Sequence, residues 1–258
     1  MKQPTPPDVL LCDMGDTLIR WAHYSREDGL TALHPFCDDP RHFSLPQLVA
    51  TGEELDSYIE PHAADSLIEY RQADFLRLLF GTHGIQLLCD DDNLEWHYWR
   101  SALAFEPEPG VAAALGAIRE QGIRLGIVSN TAFGPACISR ELERHGLSEF
   151  FAGPLITSAR FGVRKPHSAI LKSAAGLFGS ARKSVWYIGN SVYHDVGGAT
   201  AAGLPVIWYN EDGEELAEVA THGEVPTHTV SSWTGAEALI RALGEDRRRV
   251  PHGPENKP

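Results

Sequence analysis

The sequence predicts an α/β fold in which a parallel β-sheet is covered by helices. Short apolar runs rich in β-branched residues occur at Val9 to Cys12, Leu125 to Val128, Val185 to Ile188 and Val206 to Tyr209. Amphipathic helical stretches alternate with them, the rhythm that implies a parallel sheet. A second observation is where the polar residues stand. Asp13, Ser129, Asn190 and Asp195 follow these runs, and ligands of open α/β sheets bind at the carboxyl ends of the strands.

Taken in order, DVLLCD is a buried strand that leaves Asp13 on the carboxyl edge of the sheet. From about Trp21 to Phe105 the rhythm breaks: Leu67, Ile68, Phe75, Leu78 and Leu79 give helix-like patterns, and no convincing strand is seen. An inserted helical subdomain is expected there. A connecting loop or hinge is expected over Asp28 to Pro46, where Gly, Pro, His and Asp gather. Beyond the insertion, Pro109 suits a first helical position, Val111, Leu115 and Ile118 share a face, and Gly122 fits just past the end. That helix delivers the chain into the strand ending at Ser129. FGVRKPHSAIL offers Lys165 ahead of another helix, and VWYIGNSVYHDVGGATAAGLP ends a strand near Asn190 and Asp195. The segment after Gly244 has few apolar residues and is expected to be a disordered tail.

The 258 residues, 43% hydrophobic and 22% charged, have ordinary globular composition, enough for one large domain or two small ones. Thirty-five acidic against 22 basic residues give a formal net charge of -13, which repels nucleic acid and anionic lipid. An anionic substrate therefore needs a local site. The N-terminus lacks a basic region followed by a long apolar stretch, and no run approaches the ~20 apolar residues that span a bilayer. A cytoplasmic protein with a small-molecule substrate is expected, without nucleic-acid or membrane partners. Cys12, Cys37, Cys89 and Cys137 stand at irregular spacings with no C-x-x-C pair, as reduced thiols do. Cys12 reads as a small buried apolar residue.

Each polar residue has an ordinary alternative: Asp13 in a turn, Ser129 as an N-cap, Asp195 capping the helix VGGATAAG, Lys165 on the surface. Their joint order and spacing carry more weight. DMGDT, the serine ending RLGIVS, the lysine of RKP and the Asn190 to Asp195 segment before a small-residue helix resemble the four motifs of the haloacid dehalogenase (HAD) superfamily. The resemblance covers roughly residues 9 to 210. It implies a Rossmann-like core from residues 1–20 and 106–244, a C1-type helical cap over 21–105, and a tail over 245–258. It also implies a hydrolase in which Asp13 is a covalent nucleophile, Lys165 supplies positive charge, and Ser129 with nearby backbone N–H groups binds the transferring group. Mg²⁺ would be held by Asp13, the Gly15 carbonyl and Asp195, with Asn190 at a fourth position. Thr17 would order the loop around Asp13. Trp96, Tyr98 and Trp99 are expected to pack; Arg20, His23, Tyr24, Arg26 and His194 are expected to be solvated.

Two positions depart from the pattern. Phosphatases of the superfamily usually carry a second Asp two residues after the nucleophile, which protonates the leaving group; here it is Gly15. Asp16 is expected to cap or face solvent. Asn190 stands where an acidic residue is usual, so the metal should be held weakly. The expected activity is a Mg²⁺-dependent phosphatase of a small phosphate ester, working through an aspartyl phosphate and specialised or slowed by the missing acid. A retired binding module and a haloacid dehalogenase-like carbon–halogen hydrolase are the alternatives. A phosphonatase is disfavoured because no lysine occurs between Leu18 and Phe105.

Overall fold

A computed structural model of the chain describes residues 6–180, 184–220, 223–224 and 226–249. β1 (Val9–Cys12) is followed by β2 (Ile19–Tyr24), by α1 (Arg26–Ala32), α2 (Leu45–Ser66), α3 (Gln72–Thr82) and α4 (Asp91–Ala102), and by β3 (Leu103–Pro107). Strands and helices then alternate: α5 (Val111–Glu120), β4 (Arg124–Ser129), α6 (Pro135–Arg144), β5 (Leu155–Thr157), α7 (Ser158–Phe161), α8 (Ser168–Leu177) and β6 (Val185–Gly189). A π-helical turn over Val192–Val196 runs into α9 (Gly197–Ala202), before β7 (Val206–Tyr209), α10 (Leu216–Val219), β8 (His228–Val230) and α11 (Trp233–Arg249).

Six strands form a parallel sheet in the order β5-β4-β1-β6-β7-β8. This is the expected Rossmann-like α/β architecture. β1, β6 and β7 are buried throughout, which is why they read as unbroken apolar runs. Alternate residues of β1 enter two cores. Leu10 and Cys12 pack with Ile118, Ile138 and Trp233, whereas Val9 and Leu11 pack with Ile170 and Ala199, as a strand period of two requires. The chain moves outward from β1 to β4 and β5, then returns to β6 on the other side. The strand order therefore reverses at β1, and the crevice at its carboxyl end is where such sheets bind ligands.

Four expectations need correction. Asp28 to Pro46 is not simply a loop: Ser25 Oγ accepts the Asp28 N–H at 3.1 Å and starts α1. Gly29, which read as a loop residue, is there for close packing, since a Cβ would lie 2.7 Å from Tyr98 and Ala102 of α4. Pro109 does not open α5; Gly110, at φ 76°, holds the N-cap. β2 and β3 pair antiparallel across the ends of the segment that showed no strand. They were hidden because most of their residues are exposed and lack an apolar pattern. Finally, α11 continues through residues 245–249 of the expected tail, while 250–258 lie outside the described residues.

Among the described residues no helix is long and apolar enough to cross a membrane, and the four cysteines are free thiols.

Candidate active site

The carboxyl ends of β1, β4 and β6 bring the sequence-predicted residues together. β1 is paired on both sides and Asp13 N donates to Ile188 O at 2.9 Å, so the carboxylate is launched from a fixed backbone. Lys165 lies in the loop before α8, and its backbone is held by Asn130: Lys165 N donates to Asn130 Oδ1 at 2.7 Å and Asn130 Nδ2 donates to Lys165 O at 2.9 Å. The peptide Lys165–Pro166 is cis. Gly189 ends β6, and a Cβ there would fall 2.4 Å from Asp195 Cγ. Only glycine lets the Asp195 carboxylate fold back under the strand end.

These constraints converge on the ammonium group. Lys165 Nζ donates to Asp13 Oδ1 at 2.7 Å, to Asp195 Oδ1 at 2.6 Å and to Tyr187 Oη at 2.7 Å, which uses its three donors. Burial alone would lower the Lys165 pKa, but Asp13 and Asp195 outweigh it and the net shift is upward, so the group is charged. Burial pushes Asp13 up from the usual carboxylate range, an effect opposed by Lys165 and reinforced by Asp195. Asp195 is further fixed by Ser191 N, which donates to Oδ2 at 2.9 Å.

Asp13, Gly15, Ser129, Lys165, Asn190 and Asp195 all line one cavity of about 290 Å³. Trp21, Trp99, Phe105, Phe133 and Ile138 line it as well. Thr17 is fully buried and its hydroxyl faces Asn190 Oδ1 at 3.4 Å rather than Asp13. Asp16 is exposed at φ 50° and accepts the Trp21 N–H at 3.3 Å, tying the turn to β2. Trp99 is buried with Nε1 donating to Glu141 Oε2 at 3.0 Å, and Tyr98 is buried too.

Other residues depart from expectation. Arg20 is not free in solvent: its guanidinium pairs with both Glu108 and Glu211. Arg26 pairs with Asp56. His194 is half-buried on the cavity wall, its Nδ1 3.0 Å from Lys165 O. Sequence reasoning also missed three residues. Asn130 adjoins a quoted motif, but its clamp on Lys165 spans 35 positions. Tyr187 had a signal, because a tyrosine inside a fully buried strand needs a partner for its hydroxyl. Trp21 had none.

Asp13 and Asp195 both approach one ammonium, so their oxygens share a small volume. The turn after Asp13 is closed by Ile19 N donating to Met14 O and Asp16 N donating to Ile19 O. The Gly15 carbonyl takes no part in that pairing. Among the described residues no three His, Cys, Asp or Glu side chains converge. Two carboxylates, a backbone carbonyl and an amide are a hard oxygen set that fits Mg²⁺ with water completing its shell.

The fold is that of a family of hydrolases. The chain belongs to the haloacid dehalogenase-like hydrolases, whose family model matches residues 46–209. That stretch holds Ser129, Lys165, Asn190 and Asp195; Asp13 precedes it. Over 63% of its length the chain is 29% identical to the haloacetate dehalogenase H-2 of Moraxella sp. (strain B), covering 69% of that protein. Over 52% of its length it is 35% identical to the pyrimidine 5'-nucleotidase YjjG of Escherichia coli (strain K12), covering 56% of it. The crystal structure of a 2-haloacid dehalogenase from Pseudomonas syringae pv. Tomato DC3000 aligns over 92% of this chain and 98% of that one, with TM-score 0.63 and 18% identity. At that identity the likeness is one of fold.

Proposed function

We propose that the protein hydrolyses small phosphate monoesters through a phosphoryl-Asp13 intermediate and favours leaving groups that depart without a proton. The single observation that carries this is the Lys165 ammonium bonded to both Asp13 and Asp195 on the floor of the cavity. A carboxylate held beside a permanent positive charge can attack phosphorus while that charge offsets the incoming phosphate. An Asp13 oxygen forms the bond to phosphorus, the ester P–O bond breaks, and its electron pair leaves on the departing oxygen. Water then attacks the phosphorus of this acyl phosphate, the bond from phosphorus to the Asp13 oxygen breaks, and phosphate and a proton leave to solvent as the carboxylate is restored. Ser129 holds phosphoryl oxygens, and Asn130 fixes the backbone of Lys165. Asp13, Asp195, the Gly15 carbonyl and Asn190 would hold Mg²⁺, which when bound adds positive charge against the phosphoryl group. The helices between β2 and β3 act as the cap, covering the site with Trp99. Membership of this family and a net charge of -13 agree with a small-molecule substrate rather than nucleic acid, and we place the protein in the cytoplasm.

Carbon–halogen hydrolysis is the second reading, favoured by the likeness to the haloacetate dehalogenase and by Gly15, since halide also leaves without a proton. One screen separates the two: aryl, acyl and alkyl phosphates and haloacetates, with Mg²⁺ and with EDTA. Phosphate release that EDTA abolishes is the expected result. Halide release without phosphate release would refute the proposal, and no turnover of either class would favour a binding module.

A further inference from the structure

We infer that the cavity selects aryl phosphates, whose uncharged aromatic ring lies against Trp21 while the phosphate meets Asp13; this rests on the phosphatase reading. The upper wall is a chain of rings. Trp21 and Phe105 have centroids 4.8 Å apart, Phe105 and Trp99 are stacked at 5.0 Å and 17°, and Trp99 meets Phe133 edge-on at 4.7 Å. Trp99, Phe105 and Phe133 are buried and form the backing, whereas Trp21 is 52% exposed. Trp21 thus brings an aromatic side chain that is still open to water into the lining beside a polar floor, where a ring could cover it.

Trp21 is also held in place. It pairs with Phe105 across the β2–β3 ladder, its N–H is bonded to Asp16, and a bulge follows it before His23. Such a bulge re-aims side chains next to sites. The indole Nε1 lies 3.9 Å from where a Gly15 side chain would begin. The position from which relatives in this superfamily donate a proton is thus bordered here by a ring. Phenoxide needs that proton far less than an alkoxide does, and a phenyl ring can stack on indole. Charge narrows the class further. Lys165 is the one lysine or arginine among the described lining residues, and its donors are spent on Asp13, Asp195 and Tyr187. Among the described lining residues no second lysine or arginine stands ready to pair with a further anion on the leaving group, which disfavours bisphosphates and phosphorylated carboxylic acids.

Turnover and binding test this together. 4-Nitrophenyl phosphate and acetyl phosphate both depart without proton help, but only the first carries a ring. Their kcat/KM ratio should fall about 10-fold in Trp21→Ala and largely recover in Trp21→Phe, with folding checked by circular dichroism. In calorimetry, phenylphosphonate should bind the wild type about 10-fold more tightly than methylphosphonate, and Trp21→Ala should erase the difference. A ratio unmoved by Trp21→Ala, or equal affinities for the two phosphonates, would overturn the aromatic slot while leaving phosphatase activity standing. Absence of turnover with every phosphate would overturn both.

Discussion

Placing an acid at position 15 should raise the turnover of alkyl phosphates selectively. The backbone of Gly15 is not in the left-handed region, and a Cβ there meets nothing nearer than Trp21 Nε1 at 3.9 Å, an ordinary contact. Gly15→Asp is thus accommodated without shifting the loop. General acid catalysis commonly contributes about 10²- to 10⁴-fold. A carboxyl group beside an indole, with no partner evolved to aim it, should reach the lower part of that range or less, so a gain of ~10-fold on alkyl phosphates is expected. Aryl and acyl phosphates should change little, because their leaving groups depart as stable anions. The assay is kcat for a series of phosphate esters of graded leaving-group pKa on both proteins. The wild type should show a steep dependence that Gly15→Asp flattens. A flat dependence in the wild type would mean that another group, Asp16 or a cap residue, already supplies the proton, and that Gly15 does not limit alkyl esters.

Asn190→Asp should tighten Mg²⁺ binding on the order of 10-fold by adding a negative charge to the oxygen set; equal affinities in titration calorimetry would mean that Asn190 does not face the metal. Tyr187→Phe removes a buried hydroxyl shared by Lys165, Asp195 and Val128 O. It should lower stability by about 1–3 kcal/mol in urea unfolding, and an unchanged midpoint would mean that water replaces the hydroxyl.

The central strands were legible because burial on both faces makes the pattern local: VLLC, VWYIG and VIWY need no partner to be recognised. β5 and β8 were not, being three-residue edge strands, LIT and HTV, too short to show a pattern. The same division runs through the site. Asp13, Ser129 and Asn190 stand at or just beyond strand ends, where a polar residue after an apolar run is visible in one dimension, and Lys165 and Asp195 lie in the short segments that lead into α8 and α9. Asn130, Tyr187 and Trp21 take their roles from groups 22 to 84 positions away, through Lys165 O, Lys165 Nζ and the Phe105 ring. Only the fold brings those together. Gly29 misled for a related reason, since glycine for close helix packing and glycine for a turn look alike in sequence.

The covalent role of Asp13 is read most directly by rapid-quench mass spectrometry of the protein mixed with 4-nitrophenyl phosphate and Mg²⁺. A transient phosphoryl adduct is expected on the peptide that carries Asp13, absent in an Asp13→Asn protein that folds normally and has lost turnover. Sustained hydrolysis by Asp13→Asn, or wild-type turnover in which the phosphoryl group is trapped on a different residue, would contradict it.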